Sequence, residues 1–186
     1  MILQCFDTEV WRRPNRGFTL IELMIVLVIL SVVLVVAIPS YQTIGLRTKL
    51  RASVNEVVSS AYLARGEAIK RNAQMRMCIA EIKPGADSCE VAGDCTCKES
   101  GTWDEGWLVM DPNDTVMKYR QSVDDIRIFE EGGVHTILFQ PSGVASTAAN
   151  LTICRPEGGG SVEARRVIIA ATGRPRTIST NQVCAP

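Results

Sequence analysis

The sequence predicts an α+β protein in which one long N-terminal helix, transmembrane at its start and amphipathic after it, carries a small β-rich head stapled by disulfides. Three observations predict it. Residues 18–38 are apolar or small apart from Thr19, Glu22 and Ser31. From Leu46 to Ala68 apolar side chains recur at spacings of three and four, the repeat of one helix face. From Met75 onward the pattern changes to short alternating runs parted by Gly, Pro and Asp, and this region holds six of the seven cysteines.

The apolar run, at about 1.5 Å per residue, is long enough to cross a bilayer core. Arg12, Arg13 and Arg16 cluster just before it, so the positive-inside tendency places its N-terminal side in the cytoplasm and the head outside. Glu22 is the anomaly. A lone carboxylate in an apolar span is unfavourable by a few kcal/mol and is normally kept for a partner. Pro39 removes a backbone donor and is expected to kink or locally melt the helix. Beyond it Leu46, Leu50, Val54, Val57, Ala61, Ala64 and Ala68 form one stripe, while Arg47, Lys49, Arg51, Glu56, Arg65, Glu67 and Lys70 take other faces. Asn72 is the expected stop, so the rod would run over residues 18–72, roughly 80 Å.

After the helix, strands are expected at 75–80, 106–110, 126–129, 136–139, 151–154, 166–170 and 176–178. The stretch 81–103, with Pro84-Gly85 and Gly93-Asp94, reads as a stapled loop, and Gly132-Gly133, Pro141-Ser142-Gly143 and Gly158-Gly159-Gly160 part the later strands.

Six cysteines outside the cytoplasm read as a disulfide framework. The candidates are Cys78, Cys89, Cys95, Cys97, Cys154 and Cys184. Cys95 and Cys97 are too close to bond comfortably with each other, so each is expected to bond elsewhere, with Cys78 and Cys89 nearby and Cys154 with Cys184 as a C-terminal staple. A zinc site of Cys89, Cys95 and Cys97 is the rival, but its spacing is non-standard, and no metal is expected.

The string Gly17-Phe18-Thr19-Leu20-Ile21-Glu22 after a basic leader, with Pro39 further on, closely resembles the start of type IV prepilins and type II secretion pseudopilins. The resemblance implies cleavage by prepilin peptidase between Gly17 and Phe18, methylation of the new Phe18 amine, and assembly through Glu22 pairing with that amine on a neighbouring subunit. Residues 1–17 are then a leader, 18–38 a transmembrane and assembly helix, 39–73 its amphipathic continuation, and 74–186 the head. A narrower likeness adds Tyr62-Leu-Ala-Arg-Gly-Glu-Ala-Ile-Lys-Arg-Asn72, Trp103-x-x-Gly106-Trp107 and Phe139-x-x-x-Gly143, and it resembles FimT/FimU-type minor pilins and GspH-type pseudopilins. It implies a pilin spine with a β-sandwich head of two small sheets. The long Cys-rich loop has no counterpart in that pattern.

The same resemblance implies a subunit anchored by a single pass in a bacterial inner membrane, with its head in the periplasm. After assembly it would lie in the fibre or at its tip. Its partners would be other pilins or pseudopilins and prepilin peptidase. Nothing in the sequence suggests an enzyme. His135 is the only histidine, and neither a nucleophile constellation, a phosphate-cradling loop nor a cofactor motif accompanies it.

Net charge favours no partner, since removing the leader leaves 17 basic and 18 acidic residues. Its distribution is uneven: residues 40–76 carry +5, residues 81–131 carry −8 and residues 152–186 carry +3. An acidic face and a basic C-terminal patch are the expectation if these segments lie apart, and folding could equally intermingle them. In Gly173-Arg-Pro-Arg176, Pro175 holds the backbone extended, so Arg174 and Arg176 are expected to project together and suit a row of phosphates, with Arg155, Arg165 and Arg166 nearby. The motif resembles one that FimT-type minor pilins use to bind DNA without sequence specificity. Solvated arginines beside an edge strand are the plainer alternative.

Overall fold

The structure, a computed structural model, describes residues 17–85, 89, 93–155, 164–180 and 184, and leaves out the side chains of residues 35–44 and 46. The leader, with Arg12, Arg13, Arg16 and Cys5, and the triple-glycine turn at 158–160 lie outside the described residues. Two compact units, Met1–Thr43 and Ile44–Pro186, divide the chain.

Helix α1 spans Leu20–Arg71. The backbone is helical on both sides of Pro39, so the expected local melting does not occur. Within the first unit, every described large apolar side chain from Phe18 to Leu34 is at least 47% exposed. Among the described residues, no helix is long and apolar enough to cross a membrane. The described side chains of the run stop at Leu34, so the stretch 35–38 that would complete a span does not enter.

In the second unit α1 buries Leu50, Val54, Val57, Ala61, Ala64 and Ala68, the expected stripe without Leu46, whose side chain is not described. The helix closes as the sequence suggests. Asn72 takes a left-handed φ of 49°, its N–H donates to Ile69 O, and Ala73 N–H reaches back to Ala68 O, which satisfies the last carbonyls in a Schellman arrangement.

Among the described residues nine strands follow, β1 (Met75–Ile82), β2 (Cys95–Cys97), β3 (Gly106–Met110), β4 (Val116–Gln121), β5 (Arg127–Glu130), β6 (Thr136–Phe139), β7 (Ala149–Cys154), β8 (Ala164–Ile169) and β9 (Pro175–Thr180). All ladders are antiparallel. In the first sheet β1 pairs with β3, which pairs with β4. On its other side β1 meets β6 and then β2, because Ile79 uses its N–H on His135 and its carbonyl on Lys98. The second sheet runs β5-β7-β8-β9.

Alternation along the strands places Met75, Met77, Ile79, Trp107, Val109, Ile137 and Phe139 from the first sheet, and Ile128, Leu151, Ile153, Val167 and Ile169 from the second, in one core with the helix stripe. Trp107 donates from Nε1 to Ser60 Oγ at 3.0 Å, and Ser60 donates to Glu56 O at 2.8 Å, so the indole N–H and the buried hydroxyl are both paired.

Sequence reasoning missed β2 and β4. Strand β2 lies inside the expected 81–103 loop and is only three residues long, held against β1 by pairing and disulfides. β4 is an edge strand whose inward positions beside Val109 and Trp107 are Lys118 and Arg120, so no apolar alternation marks it. Lys118 instead bonds Glu56 at 2.8 Å and Ser59 at 2.9 Å on the helix flank.

Candidate functional site

The functional residues expected from the sequence fall in two described regions, the helix start and the turn that leads into β9. Gly17, Phe18 and Thr19 precede the helix, and Gly17 and Phe18 are exposed. Thr19 is the residue before the first helical position, and its Oγ1 accepts the N–H of Glu22 at 3.3 Å. Glu22 is therefore the third helical residue of a Thr-x-x-Glu arrangement, where a carboxylate faces unpaired N–H groups and the positive end of the helix dipole. This local use of Glu22 went unread in the sequence, although the spacing signals it.

The second region is built from three separate motifs. The turn at 140–143 closes with Gly143 N–H donating to Gln140 O, and the turn at 170–173 with Gly173 N–H donating to Ala170 O, both at 2.8 Å. Both glycines are left-handed, with φ of 79° and 72°. They meet face to face: a Cβ on Gly173 would lie 2.1 Å from Gly143 O and 3.3 Å from Arg65 Cδ. Arg65, from the helix, donates Nε to Gly143 O at 2.8 Å. The helix motif around Arg65, Phe139-x-x-x-Gly143 and Gly173-x-x-Arg176, distant in sequence, thus converge on one point.

From there buried Gly173 and Pro175 alternate with exposed Arg174 and Arg176 into β9, an edge strand that pairs only with β8. Among the described residues neither arginine has a hydrogen-bond or ion-pair partner. Arg176 stands opposite Ile168 and Arg166 opposite Ile178, which puts both arginines on the outward face of the second sheet. Arg166 is engaged by Glu131 at 2.6 Å and by Thr152. Arg165 faces the other side of the sheet. Arg155 lies just past the end of β7 and is not brought into the group.

Charge segregation is partly undone by folding. Lys49 meets Asp125 at 3.0 Å, Arg76 meets Asp114, and Arg127 meets Asp104 at 3.3 Å, so the acidic middle segment is partly neutralised by the helix, by β1 and from within.

The three disulfides join Cys78 to Cys97, Cys89 to Cys95 and Cys154 to Cys184. All three sulfurs of the rival zinc reading are therefore in bridges. The first two pin a small second core of Cys78, Ala80, Leu108 and Met110 on the outer face of the first sheet, with Val116 and Tyr119 packed against it. Burial there pushes the Tyr119 hydroxyl pKa up. Cys89, Cys95 and Cys97 of the Cys-rich segment unmatched in the sequence thus pack on that face.

A family model described as "Type II transport protein GspH" matches residues 53–173, and one described as "Prokaryotic N-terminal methylation motif" matches residues 12–38. Two fimbrial proteins of Pseudomonas aeruginosa are each 47% identical over 45 residues, which is 24% of this chain and 29% of theirs. The chain thus matches less than a third of the length of these curated relatives. Two crystal forms of the Pseudomonas aeruginosa type IV minor pilin FimU superpose with TM-scores of 0.50 and 0.51 at 14% identity, covering 69% and 70% of this chain and 91% and 88% of theirs. At that identity the likeness is one of fold.

Proposed function

We propose that this chain, which belongs to the GspH family by the match over residues 53–173, is a minor pilin of a type IV pilus that contributes to pilus assembly or to its tip. The observation that carries the reading is the combination of an N-terminal methylation motif with a two-sheet head on the helix that follows it. Prepilin peptidase would cut between Gly17 and Phe18, ahead of the first helical turn, and Phe18 would then be methylated. The apolar helix start would hold the subunit in the inner membrane, head in the periplasm, until neighbouring helices replace lipid around it. Glu22 would pair with the Phe18 amine of a neighbour during that exchange. Mass spectrometry of the protein from membranes tests the premise: a chain beginning at methylated Phe18 is expected, and a retained leader overturns it.

The exposed Arg174 and Arg176 support a second role for the same subunit, contact with DNA phosphates during uptake. Such binding would be sequence-independent and salt-sensitive, and weak per head unless several heads act together. In a gel shift with the full chain in nonionic detergent, wild type should retard duplex DNA at low salt and R174A/R176A should not. Equal retardation, or none by either, defeats this role.

The family description favours a rival assignment, a minor pseudopilin of a type II secretion system. Deleting the protein separates the two: loss of pili supports the pilus reading, and loss of exoprotein secretion with normal pili supports the rival.

A further inference from the structure

We propose that Arg65 is a third phosphate-contacting cation of the surface formed by Arg174 and Arg176, an inference that rests on the DNA reading above. Arg65 lies in α1, more than a hundred residues before the other two, and only tertiary packing brings it to the turn that precedes them. Its aliphatic stem supports the turn, with Cδ 3.3 Å from where a Gly173 Cβ would stand, and Arg174 is the next residue. Its Nε is committed to Gly143 O at 2.8 Å. Among the described residues its two terminal nitrogens have no acceptor.

That arrangement differs from the other arginines with described partners. Arg71, Arg76, Arg127 and Arg166 each meet a carboxylate, which neutralises them locally. Arg65 meets only a neutral carbonyl, which fixes the guanidinium plane and leaves its charge uncompensated. A half-buried guanidinium anchored through Nε presents its outer edge with little rotamer freedom left to lose, the condition in which a paired contact to phosphate oxygens is strongest. Arg65 thus reaches this turn from the spine, beside Gly173, while Arg174 and Arg176 leave it on the exposed side of β9, and a duplex backbone crossing the turn is the ligand proposed to meet all three.

Contact and mere support are separable, because each neutralised phosphate of duplex DNA adds about 0.9 to the slope of log Kobs against log salt. Fluorescence anisotropy with a short duplex and the full chain in nonionic detergent reads that slope. R65Q should make it shallower by about 0.9, and R174A/R176A by about 1.8. R65K, which keeps the charge, should retain the wild-type slope. An R65Q slope equal to wild type overturns the inference, whether or not affinity falls. Failure of wild type to bind defeats the DNA reading and the inference with it, whereas wild-type binding with an unchanged R65Q slope defeats the inference alone. If near-ultraviolet circular dichroism shows R65Q unfolded, phenylglyoxal footprinting of wild type decides: DNA should protect Arg65 from modification, and equal modification with and without DNA overturns the proposal.

Discussion

Single residues in this protein matter most where backbone approaches backbone. Gly173 is left-handed and has no room for a Cβ against Gly143 O, so Gly173→Ala combines φ strain with a clash that only backbone movement relieves. A loss of about 2–4 kcal/mol is expected in denaturant unfolding. Gly66 is the contrast: it lies in α1 with nothing near its Cβ position, so Gly66→Ala should stabilise by about 0.5–1 kcal/mol. Both outcomes come from one urea series. Glu105 supplies a pH test. Its carboxylate accepts from Lys98 and from the Thr102 N–H, and these bonds, Lys98 first, hold its pKa below the usual carboxylate range. A depressed folded pKa contributes stability that is present above the ordinary carboxylate pKa and is lost as pH falls through the lowered one. Glu105→Gln should therefore melt below wild type at neutral pH, with the two curves converging as pH falls through that lowered pKa.

Among the elements, the C-terminal strand and the Cys-rich segment depend most on cross-links. Strand β9 pairs on one side only, and the Cys154–Cys184 bridge returns the chain after it to β7, two strands away. Replacing both cysteines by serine frees that end and should lower stability by about 3 kcal/mol, with hydrogen exchange rising first in β9. Faster exchange confined to the first sheet would contradict that account. Seven of the nine strands are legible in the sequence as alternating apolar runs. Strand β4 is not, because an edge strand next to a helix flank can turn Lys118 and Arg120 inward, where Lys118 pairs with Glu56. Nor is β2, because three residues carry no period, and its place comes from its partner and its two sulfurs.

At the scale of the whole molecule, the two units divide the proposed work. The unit up to Thr43 leaves its described apolar side chains without cover, and the unit from Ile44 buries a core of its own. Glu22→Ala should therefore leave the head's melting temperature and recovery of the protein in membranes unchanged, while subunit incorporation into sheared fibres, read by immunoblot, falls several-fold. Normal incorporation would leave Glu22 with only its favourable place in the first helical turn, where Thr19 Oγ1 accepts the backbone N–H of residue 22.

Local order determined what the sequence alone could specify: a helix whose apolar stripe and stop residue are each set by neighbours within a few positions. The same local order placed most strands, since a pleat needs only alternating side chains to reveal itself. What the tertiary structure decided was every relation between distant segments. It chose one cysteine pairing among fifteen, packed Cys89, Cys95 and Cys97 on the first sheet's outer face, and brought Arg65, Gly143 and Gly173 within touching distance. Those relations depend on which surfaces meet once the core closes, and no run of adjacent residues carries that information.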